Sequence, residues 1–427
     1  MLQMFGMRMV WRKLGIAVLA LAALAACEPR HEPQMQSERE TWNGEDWRVE
    51  IELPFEVLPV ELHIARNGEE AWFSNGVERV SVGEIDIDGD HYRLRFPAFN
   101  NTLDLTRKGD RLEGTLTLVK RGYEQHLPVR AEPHPGYRFS ADPKPEVDLT
   151  GRWEVLFTDD DGNEIEAVGE FDQQGSQLAG TFLTPTGDYR YLAGEVDGRN
   201  LRLSTFDGAH AFVFTAELDE FGLLSGDYWS GERWHESWTA RRNFDARLPD
   251  AYSLTQMKRG VERFDFSFPD LSGNRVSLSD AEFRGKVVLV TLAGTWCPNC
   301  ADEAEFLTEY YGENRDRGLE VVSLLFEHVE EFEQAAALGR ELVEKHGIEF
   351  KVLVAGYSDK AVASEIMPML EKVVAYPTII FIDRAGEVRK IHTGFTGPGT
   401  GGHYLEFVRE FRELMDELLG EDPPEKA

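Results

Sequence analysis

The sequence predicts a multidomain chain: a β-rich N-terminal region, built as an antiparallel sandwich or barrel, followed by a C-terminal α/β domain. Three observations predict it. Apolar and polar residues alternate with period two in short stretches from Trp47 to about Arg242. Beyond Arg259, buried-strand runs interleave with stretches of helical period. The 427 residues suffice for two or three domains, and at 42% hydrophobic and 29% charged they can fill real cores, which excludes global disorder.

Asp and Glu number 77 against 45 for Lys and Arg, a formal charge of -32. Such a surface repels phosphate backbones, so no nucleic acid partner is expected. Three cysteines exclude a dense disulfide framework and a four-cysteine zinc site. A mixed Cys and His site would need distant histidines, so no metal is expected.

Residues 1–26 carry Arg8, Arg12 and Lys13, no acid, and an apolar run from Leu14 to Ala26. As helix that run is about 20 Å long, short of an approximately 30 Å hydrocarbon core, and it lacks the polar face of a soluble helix. It reads as an export signal. Leu24-Ala25-Ala26-Cys27 resembles the lipobox of bacterial lipoproteins, which implies lipidation of Cys27 and a lipid anchor in the membrane. Residues 27–45, polar and proline-containing, suit a tether. Loss of the signal leaves a charge near -35.

In the β-rich region we count sixteen candidate strands and no convincing helix, with Asp88-Gly89 and Asp197-Gly198 as hairpin turns. Pro133, Pro135, Pro143 and Pro145 divide it into a module over 46–132, a Pro-rich linker or crossover over 133–147, and a second module or half over 148–243. Both halves carry Gly-x-x-Leu-x-Gly-Thr, at Gly109–Thr115 and Gly175–Thr181: either a duplication or a recurring hairpin solution. Asp207, His210, Glu232 and His235 could line a pocket, but read better as wet-face residues beside the core and rim aromatics Trp229, Trp234 and Trp238. The polar and aromatic stretches at 186–191, 206–210 and 229–238 could equally form a docking surface, for a client or for the C-terminal domain.

The C-terminal domain, 260–420, precedes a flexible tail, 421–427. Strands are expected at Val287–Leu292, Leu319–Phe326, Phe350–Ala355, Thr378–Ile382 and Val388–His392. Helices are expected after Cys297-Pro298-Asn299-Cys300, over Phe332–His346, and through the face Tyr404, Val408, Phe411, Met415 and Leu418. A cysteine at the start of a helix points outward at the first turn, where free amides and the helix dipole favour its thiolate. Cys297 is therefore the attacking sulfur and Cys300, one turn in, the resolving one, the pair cycling between dithiol and disulfide. Pro298 sits in the first turn, where a missing amide costs little.

Gly294-Thr295-Trp296-Cys297-Pro298-Asn299-Cys300 after an apolar strand resembles the thioredoxin superfamily, especially its membrane-tethered TlpA/ResA-like branch. The lead-in Phe266–Leu271 and Phe283–Leu289, and the landmark Tyr376-Pro377-Thr378 with Phe381-Ile382-Asp383, are similar too. The resemblance covers about residues 261–420 and does not extend to the β-rich part. It implies that Pro377 is the cis-proline beside the disulfide, that Tyr376 offers backbone groups to an incoming strand, and that Trp296 covers the rim. Trp296, Pro298, Tyr376 and Pro377 are thus the substrate-binding residues expected. It also implies that Glu303, three residues after Cys300, handles protons for the sulfurs; Asp302 and Glu305 read as solvated helix residues. Two departures stand out. Thr291 occupies the position of the buried Asp of ordinary thioredoxins, and Glu305 stands where many TlpA-like proteins have proline. The glycine-rich stretch Gly394–Gly402 lacks a phosphate-loop ending and reads as a flexible rim, with His403 starting the last helix.

The expected function is thiol-disulfide oxidoreduction by a periplasm-facing lipoprotein, on either the inner or outer membrane. The resemblance implies reduction of protein disulfides in exported clients, with electrons from a membrane dithiol donor. No nicotinamide or flavin motif is present, so the redox-active Cys297/Cys300 pair is the only redox group expected. A thiol peroxidase is the first alternative, but Val290 and Gly294 replace the proline and threonine that such enzymes place before their cysteine. A binding or scaffold lipoprotein with an accessory redox domain is the second.

Overall fold

The computed structural model describes residues 42–423. The export segment 1–26, Cys27, most of the 27–45 tether and the end of the tail lie outside the described residues. The tether ends earlier than expected, since the first strand begins at Gly44.

Alternation fixes the first sheet. In His91–Phe96, for example, Tyr92, Leu94 and Phe96 are buried while His91 and Arg93 face water. Its strands are β1 (Gly44–Glu52), β2 (Val57–Ala65), β3 (Ala71–Asn75), β4 (Glu78–Ser81), β5 (Glu84–Asp88), β6 (His91–Phe96), β7 (Asn101–Lys108), β8 (Arg111–Lys120) and β9 (Tyr123–Pro133). The order β4-β3-β2-β1-β9-β8-β7-β6-β5 makes an antiparallel half-barrel with β4 and β5 as its edges.

The second sheet contains β10 (Gly151–Asp159), β11 (Glu164–Gln174), β12 (Gln177–Thr184), β13 (Gly187–Asp188), β14 (Leu192–Asp197), β15 (Asn200–Phe206), β16 (Ala211–Leu218), β17 (Leu223–Ser230) and β18 (Trp234–Arg242). β10 pairs with both β11 and β18, and β11 with β12, so the sheet closes into a barrel. β13 hangs on β12 as a two-residue flap, too short for any period to reveal. Aromatic rings fill the interior: Phe182 lies 4.9 Å from Phe214, 5.2 Å from Phe157 and 5.3 Å from Trp238, centroid to centroid. The half-barrel closes its apolar face on the outside of this barrel, where Phe206, Ala209, Ala211 and Val213 join its core. The Pro-rich crossover runs between them, and its buried Arg138 donates to Ser204 Oγ at 2.9 Å and to the Ser74 carbonyl at 3.0 Å.

The repeated Gly-x-x-Leu-x-Gly-Thr has a local cause. Gly109 and Gly175 turn their hairpins at φ +70° and +64°, and Leu112 and Leu178 point into the cores. A Cβ on Gly114 would collide with the Asp104 carbonyl on the neighbouring strand. Gly114→Ala is expected to destabilise the protein by about 1–3 kcal/mol, read as a lower urea midpoint; an unchanged midpoint would refute this account of the motif.

The C-terminal domain opens with a hairpin, β19 (Ser267–Pro269) and β20 (Arg275–Ser277), then builds a five-stranded sheet from β21 (Val287–Ala293), β22 (Leu319–Glu327), β23 (Lys351–Tyr357), β24 (Thr378–Ile382) and β25 (Val388–Thr393). Its order is β23-β22-β21-β24-β25, with β21 to β23 parallel and the last two antiparallel. The helices are α1 (Pro298–Asn314), α2 (Phe332–His346), α3 (Lys360–Ile366) and α4 (Gly402–Leu419). α3 was not expected; seven residues do not establish a helical period. α1 and α4 lock through Phe306 and Phe411, 4.9 Å apart, with Phe381 of β24 a further 5.6 Å from Phe411. The fold is thus a half-barrel and a barrel followed by a thioredoxin-like domain. Among the described residues, no helix is long and apolar enough to cross a membrane.

Candidate active site

The central strand β21 is buried along its whole length and delivers the chain to the start of α1. Cys297 is the N-cap residue of that helix: its Sγ accepts from the Cys300 amide at 3.2 Å, and Pro298 takes the first helical position. Cys297 and Cys300 are joined as a disulfide, and both are buried. The Tyr376–Pro377 peptide is cis, and the Tyr376 carbonyl oxygen lies 3.7 Å from Cys297 Sγ. Trp296 donates from Nε1 to the Phe326 carbonyl at 2.8 Å, stacks on His328 at 4.4 Å and meets Tyr376 edge-on at 5.6 Å.

Beneath the disulfide, Glu303 lies one turn beyond Cys300 and is 1% exposed. Thr291 donates its hydroxyl to Glu303 Oε2, while Oε1 is buried without a partner. Burial, only partly opposed by that hydrogen bond, pushes the Glu303 carboxyl up to about 8. Thr291, which stands where ordinary thioredoxins have a buried Asp, therefore binds the carboxyl that the resemblance assigns to proton handling. A second buried acid, Glu327 at the end of β22, was not foreseen. It accepts from the Thr295 amide at 2.9 Å and hydroxyl at 2.8 Å, and burial raises it to about 7. It braces the loop that carries Trp296 and Cys297.

The barrel reaches this site directly. Its 187–190 turn lies on the helix start, where Asn299 Nδ2 donates to the Asp188 carbonyl at 3.3 Å and Arg190 Nη1 donates to the Pro298 carbonyl at 3.2 Å. Arg190, in the left-handed region at φ 56°, pairs with Asp302 and, at 2.6 Å, with Glu78 of the half-barrel. Both residues between the cysteines are thus held by the barrel. Asp188 accepts from the Gly397 amide at 2.7 Å and the Arg190 amide at 2.6 Å, and burial raises it to about 6.

These contacts correct two readings. Asp302 is not a solvated helix residue but is largely buried against Arg190, whereas Glu305 is exposed. Gly394–Gly402 is not a free rim; a Cβ on Gly394 would press on Thr186, and one on Gly399 on the Arg190 backbone. His403 starts α4 but also bonds Glu170 at 2.9 Å and Arg152 at 3.0 Å, both on the barrel. The 186–191 stretch, in which a docking surface for a client or for the C-terminal domain was weighed, docks on the C-terminal domain.

Of the residues weighed in the barrel as pocket or wet face, Asp207 is buried rather than wet, and His210 lines a cavity. His210 faces Asp207 at 3.1 Å, His235 sits between Asp160 and Asp227, and Glu232 pairs with Arg233. Trp238 is core, and Trp234 is half-exposed at the rim.

Residues 260–391 match the AhpC/TSA family. The thiol-disulfide oxidoreductase ResA of Geobacillus kaustophilus is 30% identical over 145 residues, 34% of this chain and 75% of that protein. The ResA of Halalkalibacterium halodurans is 28% identical over 158 residues, 37% of this chain and 77% of that protein. Among solved structures, the thioredoxin domain of a thiol-disulfide oxidoreductase from Bacteroides vulgatus is 22% identical, covering 36% of this chain and 99% of that one, with a TM-score of 0.28. Through its C-terminal domain the chain belongs to the thioredoxin-like AhpC/TSA family, among thiol-disulfide oxidoreductases of the ResA type. It is an oxidoreductase acting on thiols and disulfides.

Proposed function

We propose that the protein is an exported, lipid-anchored enzyme facing the periplasm, which reduces disulfides of exported proteins through the Cys297/Cys300 dithiol. The observation that carries this reading is the Cys297–Cys300 disulfide capping α1 beside the cis-Pro377 turn. In the reduced enzyme, the Cys297 thiolate attacks one client sulfur, forming a mixed disulfide and releasing the other sulfur as a thiolate. Cys300 then gives its proton to Glu303 and attacks Cys297 Sγ, releasing the second client sulfur. The client gains two electrons as two thiolates, which take up one proton by way of Glu303 and one from solvent, and the enzyme is left with the Cys297–Cys300 bond. A membrane dithiol donor restores the dithiol. Trp296 and Tyr376, positioned by the cis-Pro377 bond, form the surface against which the client lies; Pro298, also expected to bind substrate, is instead buried under the barrel's 187–190 turn. Export and lipidation rest on the basic-apolar segment before Cys27.

Trapping tests the mechanism. Cys300→Ala is expected to hold covalent client adducts that dithiothreitol releases, while Cys297→Ala retains none. Equal adducts on both variants would reject the assignment of attacking and resolving sulfurs. Rapid peroxide turnover without peptide disulfide exchange would favour the peroxidase instead.

A further inference from the structure

A cavity of about 660 Å³ lies between the β8–β9 hairpin of the half-barrel and the active-site rim at Trp296 and Tyr376. Its charge is opposite to that of the chain as a whole. Lys120, Arg121 and Lys360 line it, in a protein of net charge -32. The carboxylate among its lining residues, Asp359, already pairs with Arg121 at 3.2 Å. Lys120 donates to the Ala209 carbonyl at 2.8 Å, and burial lowers its pKa to about 8 against the opposing charge of Asp207. Lys360, exposed over much of its side chain, is lowered by partial desolvation and by the neighbouring Arg121. Among the described residues neither lysine forms an ion pair. His328, stacked on Trp296, reports the same field: burial first, then Lys120 and Arg121, push it down to about 3.

A partly desolvated ammonium that forms no ion pair is costly, and a carboxylate entering beside Lys120 offsets that cost. The cavity also ends at the right chemistry. Tyr376 lines it, and the Tyr376 carbonyl is the group next to Cys297 Sγ. An occupant that reaches Cys297 from this cavity lies beside the cations, with Trp296 and Tyr376 as apolar lining. The volume admits the tip of a polypeptide loop rather than a folded surface.

We propose that this cleft is the client site and that it selects protein disulfides flanked by acidic residues. The proposal rests on the reading of Cys297 as the attacking sulfur. The half-barrel then has a function: it supplies the cationic wall.

The test uses the reduced full chain and three synthetic disulfide-bridged peptides, identical except for flanking Glu, Ser or Lys. At low salt, kcat/KM for the Glu peptide is expected to exceed that for the Lys peptide at least about tenfold, and the gap to narrow as salt is raised. Lys360→Glu, at an exposed position in the first turn of α3, is expected to reduce the Glu-to-Lys ratio about tenfold. Equal rates for the Glu and Lys peptides, or an undiminished ratio in the variant, would overturn the cleft proposal while leaving the dithiol mechanism standing. Exchange with none of the three would instead remove the dithiol mechanism, and the proposal with it.

Discussion

Replacing Glu303 with Gln is expected to slow disulfide exchange about 10²-fold or more and to remove a kinetic inflection near pH 8. The carboxyl can exchange a proton close to working pH because burial holds it there, and its Oε1 has no competing partner. An amide of the same shape cannot accept the proton leaving Cys300. The same substitution separates chemistry from stability. A carboxyl whose folded pKa is raised binds more protons folded than unfolded, so stability is fullest below about 4.5 and declines as pH rises toward 8. The displacement from 4.5 to about 8 corresponds to at most about 5 kcal/mol. Glu303→Gln does not titrate, so the oxidised variant should be more stable than its parent at pH 9, by roughly 2–5 kcal/mol, and no more stable near pH 4. Urea unfolding across that range measures it. A parent and variant with the same pH slope would mean that the carboxyl is not held neutral by burial.

Truncating Arg190 to Ala should cost about 3–5 kcal/mol, because it leaves Glu78 and Asp302 buried without their cation. Both carboxyls already stand above their ordinary values, burial outweighing the guanidinium beside them. With the cation gone they are pushed further up, so the loss should shrink as pH falls and both become neutral. Adding Glu78→Gln and Asp302→Asn to the variant should recover part of the loss at neutral pH. The readout is the urea midpoint, with disulfide exchange followed in parallel, since the Pro298 carbonyl also loses its donor. A loss below about 0.5 kcal/mol would place the Arg190 cluster among ion pairs of no structural weight.

What could be read from the sequence was local. Thr378–Ile382 and Phe332–His346 were legible to the residue because an apolar strand or an amphipathic face is a property of a short window. The Cys297–Cys300 pair was legible for the same reason, through spacing and flanks, whereas the cis bond at Pro377 came only from the family resemblance. The illegible part is non-local. Arg190 meets Glu78 and Asp302 across 112 residues in each direction. Helical period assigns Asp302 to the wet side of α1, and only the barrel's 187–190 turn makes that side dry. Glu327 was missed because it ends an apolar run, where an acid reads as the first solvated residue rather than a buried acceptor. Closure of the second sheet depends on β10 finding β18, which no alternation pattern encodes.

The turn that bonds Asn299 and the Pro298 carbonyl makes the catalytic segment a poor candidate for excision. A fragment begun near residue 260 would keep the sulfurs, Glu303 and the cis-proline. It would also expose Asp302, the Gly397 amide and His403 at a raw face that the intact protein keeps shut. Recombination of this cassette onto another carrier would therefore have to bring its own replacement lid, and shared ancestry need not mean interchangeable parts.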